Sequence, residues 1–284
     1  MIQAPEGRIF ISPDLPQADA RIVAWDAQCL SMIQVLEDPT RHIHLENCNR
    51  LFNKKLRKGI PEANEYQLGD EYKQGKAMLH AANYRMSPRR LAVELGIDVG
   101  QAKSLMDSYF RLYPEIPQWQ ESILGRIKQK GFLTTPPPFN RTRLFYTAMA
   151  ERINTGKVST EAWNSACSWI PQSAVADIIN WGLRRLKDEY HDVVWCHKHD
   201  HDSYLCSIPE DRQLEIIPRA IEMLQIPLRI HSRTLTMVPE MAIGYNYGLL
   251  IPWQQHKLER DTWWDRVKGR MDEGRLRKEL YGYV

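Results

Sequence analysis

The stretch GRIFISPDLPQADAR, residues 7–21, decides the fold. It begins with polar and apolar side chains that alternate in the manner of a short strand and end at Pro13-Asp14. From Ala18 onward the apolar side chains recur at helical spacing, so Asp14 is predicted to lie where a strand gives way to a helix. A lone aspartate in that position is typical of helix caps and turns, and a catalytic role needs a second carboxylate nearby.

A second carboxylate is available in the stretch CHKHDHDSYL, residues 196–205. Two β-prone runs, residues 192–197 and 203–208, flank a polar cluster and predict a hairpin with Asp202 at or near its turn. Such a hairpin can lie beside the first strand in one sheet, which would bring Asp14 and Asp202 together. Phosphoryl transfer uses two hard cations about 3.5–4 Å apart, and aspartates from neighbouring strands can bridge such a pair.

The same polar cluster supports two other interpretations. Its histidines, aspartates and Cys196 are residue types that bind zinc or another transition metal, although alternation along a strand sets Cys196 and His199 on opposite faces. The cluster is also compatible with a polar turn that is merely solvated. The residues alone leave both alternatives open.

Most of the chain between the two aspartates is predicted to be helical. Residues 65–131 carry amphipathic spacing with breaks at Ser87-Pro88 and at two later glycine or proline sites, which predicts three or four helices. A long helix is predicted over residues 160–190, with Pro171 inside it, and a last strand over residues 237–244. Strands at both ends of the chain with helices inserted between them predict an α+β fold.

A third candidate site lies in GKAMLHAANYRMSPRRL, residues 75–91. Lys76, His80 and Tyr84 are spaced i, i+4 and i+8, which stacks them along one face of a helix. A lysine there can neutralise phosphates, and an aromatic ring at the next turn can pack on a base or a sugar. The alternative is a solvated helix face. Three arginines follow at once and form a local basic patch: Arg85, Arg89 and Arg90.

Composition limits the classes of protein that the chain can represent. Its 284 residues are 43% hydrophobic and carry a net charge of +3, which allows a sizeable core and contact with nucleic acid but not the strongly basic surface of a DNA-coating protein. No apolar run approaches a membrane helix, and the first residues lack a signal peptide, so we expect a cytoplasmic protein without membrane contact. The five cysteines are scattered without a CxxC pair, which predicts reduced, mostly buried thiols.

These motifs, in this order, resemble those of the family A (DNA polymerase I-like) DNA polymerases, particularly their phage-type branch. Residues 14–21 resemble motif A, residues 76–84 resemble motif B on the O helix, and residues 160–179 resemble the family's Q helix. His201-Asp202 matches the core of motif C, followed by Ser203 where many members have glutamate. The similarity spans about residues 5–250, and its motifs are strong only in combination.

The resemblance implies an antiparallel-sheet palm with an inserted helical fingers subdomain. The expected division is a first part of the palm at residues 1–60, fingers at 61–135, a second part of the palm at 136–250, and a C-terminal helix and tail at 251–284. The implied activity is DNA-directed DNA synthesis, in which two Mg²⁺ ions, or Mn²⁺ in their place, join a primer 3′-hydroxyl to a deoxynucleoside triphosphate. The implied partners are primer-template DNA and nucleotides, in the cytoplasm of a bacterial host if the gene belongs to a phage.

The resemblance also implies a role for each matching residue. Asp14 and Asp202, with the Leu15 carbonyl, would hold the metal ions. Lys76 would bind the nucleotide's phosphates, His80 would stack near its base, and Tyr84 would close the pocket against the template. The remaining predicted contacts are to the nucleotide through Gln17 and Asp19, with Asp19 as the gate against ribose, and to DNA through Lys73, Arg85, Arg89, Gln172 and His201.

Departures from the family pattern limit these expectations. Arg85 stands where the family normally has a glycine after the O-helix tyrosine. Glycine is typical at that position either because the backbone approaches the template or because φ is unusual. Tyr72 stands where an arginine commonly binds phosphate, and Lys73 is the expected substitute. Motif A lies within a few residues of Met1, which predicts that a separate protein chain supplies the thumb and any exonuclease, as in a split polymerase.

Two other functions therefore stay in competition with catalysis. A catalytically weakened, polymerase-like DNA-binding or replisome-assembly subunit would explain Arg85 and Tyr72. A nuclease that uses the same two metals has less support, because Lys76 and Tyr84 would then have no task.

Overall fold

A computed structural model describes residues 2–53, 55, 69–200 and 202–253, and only the backbone of residues 69–73. The chain divides into two compact units. The first comprises Met1–Pro16, Ala176–Ile226 and Met237–Val284, and the second comprises Gln17–Val175 and Pro227–Thr236. None of the described helices is long and apolar enough to cross a membrane.

The described residues form helices and short strands with the following bounds. The strands are β1 (Arg8–Asp14), β2 (Phe132–Thr134), β3 (Thr142–Leu144), β4 (Trp195–His199), β5 (Tyr204–Pro209), β6 (Leu228–Ile230), β7 (Arg233–Leu235), β8 (Glu240–Gly244) and β9 (Ile251–Pro252). The helices are α1 (Ala18–Asp26), α2 (Leu30–Glu37), α3 (Ile43–Phe52), α4 (Gly69–Asn83), α5 (Pro88–Leu95), α6 (Val99–Leu112), α7 (Glu115–Lys130), α8 (Tyr146–Thr155), α9 (Thr160–Glu189) and α10 (Gln213–Leu224).

The first unit contains an antiparallel five-stranded sheet in the order β4-β5-β1-β8-β9. Its central strand is β1, in which Ile9, Phe10 and Ile11 are all fully buried. The predicted strand is therefore present, but its alternation of polar and apolar residues is not matched by alternating burial. Arg8 is buried as well, and its charge is accommodated by hydrogen bonds to Ser207 and by stacking 3.8 Å over the ring of Trp195.

The predicted hairpin is present as β4 and β5, with shifted ends. The strand expected over residues 192–197 begins at Trp195 instead, because α9 ends in a turn in which the backbone amides of Val193 and Val194 both donate to the Tyr190 carbonyl. The strand expected over residues 203–208 lies at Tyr204–Pro209. The last strand, expected over residues 237–244, begins only at Glu240.

The second unit is mostly helical and contains the four helices α4 to α7, as predicted for residues 65–131. Local signals set their ends. Ser87 caps α5 ahead of Pro88, Gly96 ends that helix in a left-handed conformation, and Asp98 forms a capping box with Gln101 at the start of α6.

The helices and antiparallel strands together confirm the α+β prediction. The long helix over residues 160–190 is confirmed as α9, which includes Pro171. The division into two palm segments, fingers and tail stays a prediction. Its last segment, the helix and tail at 251–284, lies almost wholly outside the described residues.

Candidate active site

Asp14 is the last residue of β1, and its side chain is exposed. The antiparallel pairing of β1 with β8 sets Glu240 directly opposite Asp14. Side chains at directly opposite positions have Cβ atoms about 4.5–5.5 Å apart. The end of the sheet at Asp14 therefore carries a second carboxylate, Glu240, which the sequence analysis did not single out.

Asp202 lies in the turn between β4 and β5, where it is exposed. The turn is closed by a hydrogen bond from the Asp200 amide to the Ser203 carbonyl, 2.9 Å long. The pairing of β1 with β5 runs from Arg8 opposite Pro209 to Ile11 opposite Cys206. The same offset, continued toward the strand end, sets Asp14 against Ser203, the residue after Asp202, so both predicted metal ligands lie at one end of one sheet.

The donor set at this end of the sheet fits Mg²⁺. Asp14 and Asp202 offer hard carboxylate oxygens, and Mg²⁺ is commonly held by one or two carboxylates together with substrate phosphates and water. In the part of the chain that the structure describes, no group of three histidine, cysteine, aspartate or glutamate side chains converges on a metal position. Leu15 follows Asp14 with its side chain buried, and the metal-binding role of its carbonyl stays a prediction.

The alternative zinc site in the 196–202 cluster gains no support from the residues that are described. The His197 ring is hydrogen-bonded to the Ser207 hydroxyl at 2.8 Å and packs edge-on against Phe10. Cys196 is hydrogen-bonded to the Cys206 thiol. His201 lies outside the described residues, so its predicted contact with DNA stays a prediction.

Lys76 and His80, two residues predicted to bind the nucleotide, lie on α4 in the second unit, and Tyr84 directly follows the last residue of that helix. The ring centroid of His80 lies 6.2 Å from that of Tyr84, four residues further along the chain. Burial lowers the pKa of His80, and the positive charge of Lys76 acts in the same direction, whereas Asp19 opposes both. The His80 ring is therefore mostly neutral at pH 7, which suits stacking better than phosphate binding.

A further histidine, His44 on α3, lies beside His80, and the sequence analysis did not predict it as a site residue. Its ring centroid lies 6.2 Å from that of His80, and its side chain is buried. Burial, and then the charges of His42, His80 and Lys76, hold the pKa of His44 well below its usual range. The HIH pattern at residues 42–44 was the available signal, but nothing in the sequence connects it with α4.

The contact between α3 and α4 depends on Gly75. A Cβ atom added there would lie 3.3 Å from the sulfur of Cys48 and 3.4 Å from the His44 carbonyl oxygen. The glycine therefore allows the two helix backbones to approach closely. This approach brings His44 to the face that carries Lys76 and His80.

Tyr84 and Asp19, two predicted nucleotide-binding residues, contact each other. The Tyr84 hydroxyl donates a 2.6 Å hydrogen bond to the Asp19 carboxylate. Burial, and then the negative charge of Asp19, raise the pKa of Tyr84 well above its usual value, so the phenol stays protonated. Asp19 lies in the first turn of α1, where the helix dipole favours a carboxylate.

Gln17 has a structural role in addition to its predicted contact with nucleotide. It precedes α1 in a left-handed conformation with φ 57°. Its side-chain oxygen accepts a 2.9 Å hydrogen bond from the amide of Ile43, the first residue of α3. Gln17 therefore joins the start of α1 to the start of α3.

Arg85 has the unusual backbone that its position predicted, with φ 60°. Its guanidinium lies 3.1 Å from the ring centroid of Trp163, and its Nε donates to the Asn164 side chain at 3.3 Å. The side chain therefore packs against α9 within the second unit. Of the other predicted DNA contacts, Arg89 on α5 and Gln172 on α9 are exposed, whereas the side chains of Tyr72 and Lys73 lie outside the described residues.

Comparison with known proteins gives a consistent result. The model of the family described as DNA polymerase family A matches residues 1–248. DNA polymerase I of Borreliella burgdorferi is 26% identical over 239 residues, covering 80% of this chain and 25% of that protein. The thermostable DNA polymerase I of Thermus aquaticus is 22% identical over 245 residues, covering 86% of this chain and 27% of that protein.

The solved POL domain of Pol1 from M. smegmatis, in complex with DNA primer-template and dNTP, has the same fold. Its TM-score is 0.68 at 19% sequence identity, covering 86% of this chain and 41% of that one. The chain thus spans about a quarter of the length of the curated relatives named above.

Proposed function

This chain belongs to DNA polymerase family A, and from that membership we propose that it carries out DNA-directed DNA synthesis on a primer 3′-hydroxyl. The observation that carries the proposal is the position of Asp14 and Asp202 at one end of one antiparallel sheet. The bound ligands of the M. smegmatis POL domain support primer-template DNA and deoxynucleoside triphosphates as partners.

Asp14 and Asp202 are the residues that would hold two Mg²⁺ ions. Such ions lower the pKa of an attacking hydroxyl and neutralise the charge that develops on the leaving phosphate oxygens. The two aspartates contribute by holding the ligand oxygens at the end of a sheet whose central strand buries Ile9, Phe10 and Ile11.

The second unit supplies the residues proposed to select and orient the nucleotide. Lys76 on α4 neutralises phosphates, while the His80 ring, whose pKa burial lowers, packs against a base or sugar. The Tyr84–Asp19 hydrogen bond fixes the position of the Tyr84 ring, since breaking it would leave a buried polar group without its partner. His44 extends this face toward α3 and joins the proposed set.

The decisive experiment is primer extension with Mg²⁺ by the native chain and by Asp14→Ala and Asp202→Ala. We expect each change to lower the extension rate by about a hundred-fold or more, because even the partners that merely orient metal ligands are worth 10- to 100-fold. Asp211→Ala, which removes an exposed carboxylate from the same unit, is the matched control and should leave the rate unchanged. Extension that survives both substitutions would sink the proposal.

One observation favours a second function, that of a polymerase-like subunit that binds DNA without extending it. Two adjacent exposed arginines, Arg89 and Arg90, lie at the start of α5, and Arg85 stands where the family pattern has glycine. Tight primer-template binding with no extension under any condition, in the native chain and both aspartate variants alike, would support this function instead. Membership of the phage-type branch and a thumb supplied by a separate chain stay predictions. Adding candidate partner chains to the primer-extension assay tests the prediction about the thumb.

A further inference from the structure

Two cysteines face each other across the hairpin that carries Asp202. Cys196 on β4 and Cys206 on β5 are direct partners in the antiparallel pairing of these strands. Opposite residues in such a pair have Cα atoms about 4.5 or 5.5 Å apart, depending on the hydrogen-bonding pattern. Both separations fall within the roughly 4.4–6.8 Å that disulfides span, so the pairing of the two strands is compatible with a bond between these residues.

The two thiols differ in access and in acidity. Cys196 is exposed on β4, which is an edge strand of the sheet, whereas Cys206 is fully buried on β5. The hydrogen bond from the Cys206 thiol, and then the charge of Lys187, lower the pKa of Cys196 to about 6 despite its partial burial. The same hydrogen bond, and then burial, raise the pKa of Cys206. Cys196 is thus the reachable and more acidic thiol, and Cys206 is a protected thiol behind it.

We propose that Cys196 and Cys206 form an oxidisable dithiol, which a peroxide converts into a cross-strand disulfide. The Cys196 thiolate attacks one peroxide oxygen, the O–O bond breaks, and the departing hydroxide takes a proton to leave as water. The Cys206 sulfur then attacks the sulfur of the Cys196 sulfenic acid, and the S–O bond breaks. Water leaves with the Cys206 proton, so two thiols and one hydrogen peroxide give one disulfide and two waters.

The product closes a ring of residues 196–206 that contains Asp202. It adds a covalent bond between the edge strand β4 and β5, which are joined by strand pairing and by side-chain contacts in the reduced protein. The chemistry itself does not depend on Asp202 being a metal ligand. Oxidation can therefore be measured whether or not the chain extends a primer.

The other described cysteines make the reaction selective. Cys29, Cys48 and Cys167 are all buried in the second unit. Burial raises the pKa of Cys29 to about 11 and that of Cys167 to about 12, so neither is a thiolate at neutral pH. Cys196 is the exposed and acidic thiol among the five cysteines.

The test uses the full reduced chain, treated with a small molar excess of hydrogen peroxide, then denatured and alkylated with N-ethylmaleimide. We expect the number of alkylated cysteines to fall from five by two, the mass to fall by two hydrogen atoms before alkylation, and peptide mapping to link Cys196 to Cys206. Because the raised pKa of Cys206 slows the second step, dimedone added with the peroxide should trap a sulfenic acid at Cys196.

The controls are Cys196→Ser, which changes an exposed side chain and keeps the buried Cys206, and Cys167→Ser in the other unit. Cys196→Ser should abolish the disulfide and the dimedone adduct, whereas Cys167→Ser should retain both. Hydrogen exchange of the β4 amides should slow about ten-fold or more in the oxidised native chain, because opening the hairpin end becomes costlier. Five alkylated cysteines after peroxide treatment, a sulfinic acid at Cys196 without a link, or a link between other cysteines would overturn the proposal.

Discussion

Arg85 adopts a left-handed backbone conformation although it carries a long side chain. The strain of that conformation, roughly 1 kcal/mol for a residue with a Cβ atom, is offset by the stack on Trp163 and the hydrogen bond to Asn164. Arg85→Ala should lose these contacts and keep the strain, whereas Arg85→Gly should lose both. We therefore expect Arg85→Ala to be less stable than Arg85→Gly by about 1 kcal/mol in urea unfolding.

If Arg85→Gly were instead the less stable of the two variants, the left-handed backbone would not destabilise the protein at this position. The same pair also tests a DNA-binding role for Arg85. Because the side chain already packs on α9, we expect both variants to bind primer-template DNA within about three-fold of the native chain at fixed salt. A loss of affinity much greater than this in both variants would instead assign Arg85 to DNA.

Glu240 lies directly opposite Asp14, and two like charges in such a pair destabilise a sheet. Glu240→Gln should therefore raise the free energy of unfolding by up to about 1 kcal/mol without divalent cations, with solvent screening reducing the gain. Added Mg²⁺ should reduce the difference in the free energy of unfolding between the variant and the native chain, because the ion neutralises the repulsion between the two carboxylates of the native chain. Glu6→Gln, an exposed glutamate of the same unit, is the control and should show neither effect.

Among individual residues, the sequence predicted those marked by a pattern in their own neighbourhood. It missed those that reach the candidate site through contacts between segments distant in sequence. Asp14 follows a strand pattern, and Lys76, His80 and Tyr84 share a helical spacing, so each could be found from its own neighbourhood. Glu240 enters only through the register of β1 with β8, more than two hundred residues away in sequence. His44 enters only because α3 and α4 approach at Gly75, a contact that depends on tertiary packing.

The hairpin of β6 and β7, which is part of the second unit, is joined to the end of α1 by an ion pair. The His231 ring lies 3.2 Å from the Asp26 carboxylate, which also accepts hydrogen bonds from Trp119 and Arg126. The hydrogen bond to Asp26 raises the pKa of His231. Burial opposes the ionisation of Asp26, but the hydrogen bond from His231 and the charge of Arg126 outweigh it and lower the pKa of that carboxyl.

A histidine whose pKa rises on folding stabilises the protein below its unfolded pKa, near 6.5, and loses that contribution as the pH rises through the folded value. His231→Gln should therefore destabilise the protein more at pH 5.5 than at pH 8. Nearly half of the ring is exposed, so the difference should not exceed about 1 kcal/mol. Urea unfolding at the two pH values measures this difference in stability, and His191→Gln, which changes an exposed histidine, is the control. Equal destabilisation by His231→Gln at both pH values would contradict the pairing of His231 with Asp26.

Elements with explicit end signals were predicted most closely. The four helices α4 to α7 begin and end near the prolines, glycines and capping residues that the sequence offers. The four predicted strands are present as β1, β4, β5 and β8, with ends displaced by up to three residues because turns and partner strands set them. β4, for instance, starts late because residues after α9 form a turn first. The short strands β2, β3, β6, β7 and β9 were not predicted.

Over the whole molecule, a net charge of +3 conceals an uneven distribution of basic residues. Arg89 and Arg90 are adjacent and exposed at the start of α5, as a phosphate-binding patch requires. If Arg89 contacts one phosphate, Arg89→Ala should reduce the slope of log Kd against log salt by about 0.9 and weaken binding alike for all DNA sequences. Lys103→Ala, an exposed cation on α6 of the same unit, should leave the slope unchanged, and an unchanged slope in Arg89→Ala would remove Arg89 from the interface.

The central position of β1 governs the order in which the chain can mature on the ribosome. Synthesis proceeds at about 5–20 residues per second, so Gln17–Val175 emerges well before β5 and β8 exist. During that interval the apolar residues Ile9, Phe10 and Ile11 have no strands to cover them and form a target for chaperones or for aggregation. The end of the sheet that bears Asp14 and Asp202 therefore assembles after most of the helical unit has emerged. A nascent chain released before residue 244 would contain most of that unit, but β1 would lack its complete set of partner strands.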